Sequence, residues 1–109
     1  SAIVVTPCNT VILKRNDDDA SKEVVPRDEL AVTQTPQAFP LKKIADAHRK
    51  ALSLGITNSV ASCTLMIELG EKVHFSIGEE TNIKLTTPGD LKIFKALLAL
   101  KSRRDYENY

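Results

Sequence analysis

Hydrophobic residues near the N-terminus occur in short runs that proline and polar turns separate. Residues 2–5 form a continuous apolar run, a pattern typical of a strand with neighbours on both sides, and the predicted strand covers residues 2–6 and stops at Pro7. Residues 11–14 and 23–25 are predicted as shorter extended segments, and the polar loop between them contains three consecutive aspartates, residues 17–19. Residues 11–25 therefore predict a hairpin with little core of its own, and such hairpins usually need to pack on something else.

Two helices are expected in the middle of the chain. Residues 31–35 are predicted as extended and lead into an ordered turn, because the residues before Pro36 and Pro40 are disfavoured in helical angles. From Pro40 to a stop at Gly55, the spacing predicts an amphipathic helix. Its expected apolar stripe consists of Leu41, Ile44, Ala45, His48, Ala51 and Leu52.

The second predicted helix covers residues 59–69, with Asn58 or Ser59 as N-cap and Gly70 as its stop. Most of its circumference is apolar, so we expect it to be largely buried. Residues 73–77 then alternate as a strand does, with Val73, Phe75 and Ile77 expected on one covered face.

The last third of the chain contains the best-defined helix start. Ile83 and Leu85 alternate with Lys84, which predicts that this lysine lies on a short strand. Thr87 suits the N-cap, Pro88 the first helical position, and Asp90 the position where a carboxylate returns a bond to the cap. The closing helix is predicted to carry Leu91, Phe94, Leu97 and Leu98 on one stripe and to end near residues 101–104, with fraying beyond.

Composition limits the chemistry to local sites. The 109 residues suffice for one small domain, and 15 basic against 14 acidic residues leave a formal charge of +1. No general electrostatic attraction to nucleic acid or an anionic membrane is therefore predicted, and no apolar run approaches the roughly 18 residues of a membrane span. Cys8 and Cys63 lack metal-ligand spacing, and we expect reduced thiols in an aqueous, reducing compartment.

A few side chains are candidates for chemistry on residue type alone. A lysine held beside a helix start can meet an anion such as a phosphate, although most strand lysines are simply solvated. The aspartates of residues 17–19 could bind a divalent cation, but adjacent carboxylates on a loop are far more often solvated. His48 is expected to be structural, and His74 is assigned no role.

Two sequence blocks resemble one enzyme family. Residues 33–39 read TQTPQAF and residues 81–91 read TNIKLTTPGDL. In order and spacing they resemble the methylerythritol phosphate cytidylyltransferases and the related ribitol phosphate cytidylyltransferases, and residues 5–10 and 26–30 extend the likeness. The resemblance implies a Rossmann-like α/β nucleotidyltransferase domain, of which residues 1–109 would be the C-terminal portion, with residues 11–25 as a protruding β-hairpin dimerisation arm. The nucleotide-binding N-terminal half is expected to be absent from this sequence.

The family implies a reaction and its participants. It condenses CTP with 2-C-methyl-D-erythritol 4-phosphate to give CDP-methylerythritol and pyrophosphate, a step of isoprenoid precursor synthesis. Ribitol 5-phosphate, giving CDP-ribitol, is the alternative substrate; a further alternative is a catalytically incompetent fragment for dimerisation and substrate binding. The resemblance also implies Mg²⁺ held mainly by the absent half, and a homodimer without nucleic acid or membrane. It further implies a cytoplasmic location in bacteria, or a plastid location in a eukaryote.

Three residues take site roles from the resemblance, and no metal ligand is expected among them. Lys84 resembles the lysine that holds the phosphate of the alcohol substrate and takes part in catalysis. Thr35 resembles a threonine that contacts the same substrate, and Arg27 resembles an arginine that the arm extends into the partner's site. On residue type alone, Thr35 could instead brace its turn, and Arg27 could form a surface ion pair with Asp28 or Glu29.

The sequence departs from the family pattern at several positions. Where the methylerythritol enzymes carry a threonine followed by acidic residues, this chain has residues 60–62, Val-Ala-Ser, although a shifted alignment brings Thr57 and Asn58 there. Valine neither donates nor accepts a hydrogen bond. The family's aspartate before the arm threonine is Asn9, and its frequent aromatic after Leu30 is Ala31. These differences concern the substrate more than the reaction.

Overall fold

The computed structural model describes residues 1–57 and 61–107, and the chain divides into two compact units, Ser1–Gly78 and Glu79–Tyr109. The expectation that residues 1–109 belong to one domain stays a prediction. In chain order the first unit contains β1 (Ala2–Pro7), β2 (Ile12–Lys14), β3 (Glu23–Val25), a 3₁₀ turn (Arg27–Glu29), β4 (Ala31–Ala38), α1 (Leu41–Ser53), α2 (Ser62–Glu68) and β5 (His74–Ile77). The second unit contains α3 (Pro88–Glu107).

A three-stranded mixed sheet organises the first unit. β1 lies in the centre, antiparallel to β4 and parallel to β5. Ile3 and Val5 of β1 are buried and pack with Cys63 of α2. The prediction of a strand with a neighbour on each side is thus confirmed, and the α/β class is confirmed with it.

Helices α1 and α2 meet in a second cluster of buried residues. Ala47 and Ala51 of α1 pack with Leu65 and Met66 of α2. The predicted helix up to Gly55 is confirmed, but its predicted stripe is partly wrong. Leu41, His48 and Leu52 are exposed, because they lie roughly 65–105° around the helix from the mean direction of Ile44, Ala47 and Ala51.

Helix α2 begins later than the periodicity indicated. Its N-cap is Ala61, with extended backbone angles, and the expected caps Asn58 and Ser59 lie outside the described residues. Ile67 is exposed, so the helix buries one face and not most of its circumference. Gly70, with φ of +84°, ends it as predicted.

The predicted hairpin of residues 11–25 forms as a separate two-stranded sheet. β2 and β3 are antiparallel, and Lys14 and Glu23 form an exposed ion pair of 3.6 Å across them. In the loop, the Lys22 N–H donates to Asn16 Oδ1 at 2.6 Å, and the Asp19 N–H donates to Asp17 Oδ1 at 3.1 Å. The apolar side chains of the hairpin, as expected, have little core beneath them: Val11, Leu13 and Val24 are all exposed.

Two strand predictions need correction: residues 73–77 in the first unit and the segment around Lys84 in the second. β5 is a strand, but Phe75 and Ile77 are 68% and 94% exposed. Of the three residues on the face expected to be covered, only Val73 packs against the core. Residues 82–86 form no strand, because a short alternating segment becomes a strand only when a neighbour supplies ladder hydrogen bonds. Lys84 therefore lies on an irregular segment.

Helix α3 begins as predicted and ends later. It starts at Pro88 after Thr87 and continues to Glu107, beyond the predicted end near residues 101–104. The helical backbone includes Arg104 and Asp105. The expected fraying after residue 104 stays a prediction.

Candidate functional site

Lys84 lies between two local structures that fix its backbone. On its N-terminal side, the Asn82 N–H donates to the Glu79 carbonyl and the Ile83 N–H to the Thr81 carbonyl, both at 3.0 Å. On its C-terminal side, the start of α3 follows closely along the chain. The lysine side chain is exposed, so its ammonium is accessible to a ligand in solution.

The start of α3 is a reciprocal capping arrangement. Thr87 Oγ1 accepts from the Asp90 N–H at 3.2 Å, while Asp90 Oδ2 accepts from the N–H groups of Thr87 and Thr86 at 2.8 and 3.0 Å. The backbone hydrogen bond from Thr87, then that from Thr86, lowers the pKa of the Asp90 carboxyl below its usual value. The capping prediction is confirmed, and it fixes the chain two residues after Lys84.

Thr35 lies at the centre of an irregularity in β4. The predicted strand of residues 31–35 continues through the expected turn to Ala38. Ile3 pairs with Gln37 and Val5 pairs with Thr33, so two residues along β1 correspond to four along β4. The surplus residues of β4 form a bulge around Thr35, and bulges commonly redirect side chains beside functional sites. The Thr35 side chain is exposed.

Gln37 makes a tertiary contact that the sequence interpretation did not assign. Its Oε1 accepts from the backbone N–H of Cys63 at 3.1 Å, across 26 residues of sequence. The N-cap Ala61 has no side-chain oxygen, so Gln37 supplies the acceptor that a serine or aspartate would normally provide. Local propensity contains no signal for this, because the helix start and its acceptor belong to different elements.

Because Gly78 has no side chain, residues of β1 and of the β4 bulge approach its backbone closely. Its N–H donates to the Val5 carbonyl at 2.9 Å, which extends the contact between β1 and the end of β5. A Cβ built on Gly78 would overlap the Val4 Cγ1 and the Gln34 side-chain oxygen. The β4 residue Gln34 therefore lies against the backbone of Gly78.

Arg27 lies at the base of the hairpin. It begins the 3₁₀ turn Arg27–Glu29, and its Nη1 donates to the Asn9 carbonyl at 3.2 Å. This bond joins the two ends of the segment that contains the hairpin. Arg27 and Thr35 belong to the first unit and Lys84 to the second.

The described residues do not assemble a metal site. Over residues 1–57 and 61–107, no group of three or more His, Cys, Asp or Glu side chains is close enough to hold an ion. The loop aspartate Asp17 uses Oδ1 to accept from Asp19, as a turn residue does. Cys8 and Cys63 are both buried thiols, as expected, and form no disulfide. No helix in the described part of the chain is both long and apolar enough to cross a membrane.

The whole region from the first strand to α3 matches one family model. Residues 1–100 match the family described as IspD, 2-C-methyl-D-erythritol 4-phosphate cytidylyltransferase. The chain belongs to this family. The match includes the Thr35 bulge, the Arg27 turn and the segment from Lys84 into α3, so the resemblance inferred from two short blocks is confirmed over most of the chain.

Curated relatives come from both branches that the sequence blocks indicated. The chain is 41% identical over 104 residues to the 2-C-methyl-D-erythritol 4-phosphate cytidylyltransferase of Halalkalibacterium halodurans, covering 95% of this chain and 45% of the relative. It is 34% identical over 103 residues to the ribitol-5-phosphate cytidylyltransferase of Lacticaseibacillus paracasei, covering 93% of this chain and 44% of the relative. The chain thus spans less than half the length of these relatives.

Solved structures agree with the family fold. The 2-C-methyl-D-erythritol 4-phosphate cytidylyltransferase of Thermus thermophilus aligns with a TM-score of 0.75 at 32% identity, covering 88% of this chain and 46% of that one. The 4-diphosphocytidyl-2C-methyl-D-erythritol synthase of Anaerococcus prevotii aligns with a TM-score of 0.74 at 30% identity, covering 92% and 45%. The Rossmann-like fold prediction is confirmed. Val60, at the departure from the family pattern, lies outside the described residues.

Proposed function

We propose that the protein containing this chain is a cytidylyltransferase that condenses CTP with 2-C-methyl-D-erythritol 4-phosphate. The family match over residues 1–100 carries the proposal, and the 41% identity to an enzyme of that name supports the choice of substrate. In this reaction an oxygen of the alcohol phosphate attacks the α-phosphorus of CTP. The bond from that phosphorus to the β-phosphate breaks, and pyrophosphate leaves as CDP-methylerythritol forms.

Lys84 is proposed to hold the phosphate of the alcohol substrate. The reaction brings two anions together, and an ammonium at the attacking phosphate lowers their repulsion as charge develops. The exposed side chain of Lys84 and the hydrogen bonds on both sides of its backbone support this role. A fixed backbone reduces the conformational freedom that the lysine loses on binding.

Thr35 and Arg27 are proposed as further contacts to the same substrate. The Thr35 hydroxyl would donate to substrate oxygen from the β4 bulge. Arg27 would reach the site of a partner subunit from the base of the arm, residues 11–25, where a guanidinium can hold a phosphate through two hydrogen bonds. This part of the proposal includes a homodimer formed through the arm, and the exposed apolar side chains on the arm support it.

The nucleotide and the metal are proposed to be held by residues outside this chain. Over residues 1–57 and 61–107, no three His, Cys, Asp or Glu side chains lie close enough together to hold an ion by themselves. When bound, Mg²⁺ would neutralise charge on the CTP phosphates. A cytoplasmic location in bacteria, or a plastid location in a eukaryote, belongs to the same proposal, because CTP and the alcohol phosphate are both water-soluble.

Ribitol 5-phosphate is the second candidate substrate. The relative from Lacticaseibacillus paracasei favours it, as does the alignment that places Val60 where the methylerythritol enzymes carry a threonine. A panel of both alcohol phosphates with CTP, assayed on the full-length protein by pyrophosphate release, distinguishes the two. We expect the higher kcat/KM with the methylerythritol substrate. A higher kcat/KM with ribitol 5-phosphate would make that compound the substrate. If neither substrate gives pyrophosphate, the proposed reaction is contradicted.

The isolated chain of 109 residues is proposed to have no turnover of its own, because it would lack the nucleotide-binding half. The same assay on this polypeptide should give no CDP-alcohol with either substrate. Synthesis of CDP-alcohol by the isolated chain would show that the nucleotide site is contained in it.

A further inference from the structure

We propose that Gln37 is a positioning residue that holds the Thr35 bulge of β4 against the N-terminus of α2. The inference rests on the proposed function, since it concerns how Thr35 is presented to the alcohol phosphate. It adds a residue whose side chain is directed at a backbone N–H and not at a ligand.

The bulge needs an anchor because its residues leave the regular ladder. Between the pairs Val5 with Thr33 and Ile3 with Gln37, the register of β4 against β1 shifts by two residues. Thr35 occupies the middle of this segment. Thr33 and Gln37 are the two residues at which β4 rejoins the ladder, so they bound the segment that contains Thr35.

Gln37 connects its end of the bulge to another element through a side-chain bond. Its Oε1 accepts from the Cys63 N–H at 3.1 Å, and Cys63 is buried between α2 and β1. The Gln37 side chain is itself partly buried, so water competes weakly for this bond. One hydrogen bond thus connects the end of the bulge to the packed core.

The hydrogen bond from the Cys63 N–H to Gln37 also caps the start of α2. Its role in the helix can be separated from its role at the bulge by giving α2 a different cap. Ala61 cannot cap the helix, although the Thr64 hydroxyl accepts from the Ala61 N–H at 3.1 Å and donates to the Ala61 carbonyl at 2.6 Å. Without Gln37, the Cys63 N–H would lose its acceptor. A serine at position 61 would supply a local acceptor to α2 without restoring any connection to β4.

Three variants of the full-length protein test the proposal. Gln37→Met keeps the side-chain length and removes the acceptor, Gln37→Glu keeps an acceptor, and the double variant Gln37→Met with Ala61→Ser recaps α2 alone. For each we would measure the melting temperature, kcat, KM for both substrates, and hydrogen exchange of residues 33–37 and of the Cys63 amide.

Gln37→Met should raise KM for the alcohol phosphate about three- to tenfold, the effect of one lost neutral hydrogen bond, while KM for CTP stays unchanged. Residues 33–37 and Cys63 should exchange faster. Gln37→Glu should have the KM for the alcohol phosphate and the exchange rates of the unsubstituted protein. The double variant should recover the melting temperature and the protection of Cys63, but it should keep the raised KM and the faster exchange of residues 33–37.

Several results would overturn the proposal. These are unchanged exchange of residues 33–37 in Gln37→Met, no rescue by Gln37→Glu, or a double variant that recovers KM along with melting temperature, which would make Gln37 a helix cap only. If Gln37→Met does not fold, the recapped double variant provides the same comparison. An unsubstituted protein without turnover would contradict the proposed function, while the exchange of residues 33–37 would still decide whether Gln37 holds the bulge.

Discussion

Asp90 fixes the backbone that follows Lys84 by accepting two N–H groups with one carboxylate oxygen. These bonds favour the ionised form, so the pKa of Asp90 in the folded chain lies below its unfolded value of 3.8. Its contribution to stability is therefore fully present above pH 3.8 and is lost as the pH falls through the lower folded pKa. The helix start should remain intact throughout the neutral range.

An acid titration followed by NMR should detect this directly. The amide resonances of Thr86 and Thr87 should shift with a midpoint below 3.8, because both N–H groups donate to the titrating carboxylate. Asp90→Asn should abolish the shift, and Asp46→Asn, which removes a carboxylate paired with Arg49 on α1, should leave it unchanged. A midpoint at or above 3.8 would contradict the capping arrangement.

At Gly78, the addition of a single Cβ atom is expected to change the stability of the fold. Gly78→Ala should lower the free energy of unfolding by about 1–3 kcal/mol, because the new Cβ would overlap Val4 and Gln34. Gly89→Ala is the matched control, since the nearest atom to its Cβ would be Thr87 Oγ1 at 3.6 Å. Urea denaturation should show no loss for the control; an unaffected Gly78→Ala would contradict the close approach.

At the scale of elements, the hairpin β2–β3 is the clearest case of a structure with too little core. Val11 and Val24 are 67% and 68% exposed, although both are apolar. We therefore expect another surface to cover these side chains, and we propose that a second subunit provides it. The cross-strand ion pair of Lys14 with Glu23 is exposed and contributes at most about 1 kcal/mol.

Removing the arm should prevent dimer formation. Replacing residues 14–23 of the full-length protein by a short turn should give a monomer by light scattering. The variant Lys14→Ala with Glu23→Ala, which removes only the exposed ion pair, should remain dimeric. A dimer that persists after the deletion would show that the subunits associate elsewhere.

Elements with local signals were predictable from the sequence. The start of α3 follows from Thr87, Pro88 and Asp90, and the end of α1 follows from Gly55. The start of α2 was not predictable, because its capping acceptor is Gln37, on another element. The predicted strand at Lys84 failed for a related reason, since alternation does not show whether a neighbouring strand is available.

The candidate site was also predictable only in part. The motifs that contain Lys84, Thr35 and Arg27 could be recognised in the sequence, and their roles stay predictions. The bulge that presents Thr35 depends on register against β1, and the anchoring of that bulge depends on α2, so neither could be predicted from residues 33–39 alone. A residue's type indicates the chemistry it can perform, whereas its position depends on contacts distant in sequence.

At the scale of the whole molecule, the chain carries part of a family domain. It spans 44% and 45% of the two curated relatives described above, and both substrate classes are represented among them. The proposed substrate contacts lie within this part, whereas the nucleotide and metal contacts are proposed to lie outside it. We therefore propose that this chain recognises the alcohol phosphate.

Lys84→Ala in the full-length protein tests this assignment most directly. Pyrophosphate release from CTP and the preferred alcohol phosphate should fall about 10²- to 10³-fold in kcat, on the scale of other lost charge-stabilising contacts. Lys92→Ala, which changes another exposed lysine, on α3, should stay within about twofold of the unsubstituted protein, the range of a surface change. Near-normal turnover in Lys84→Ala would contradict the account.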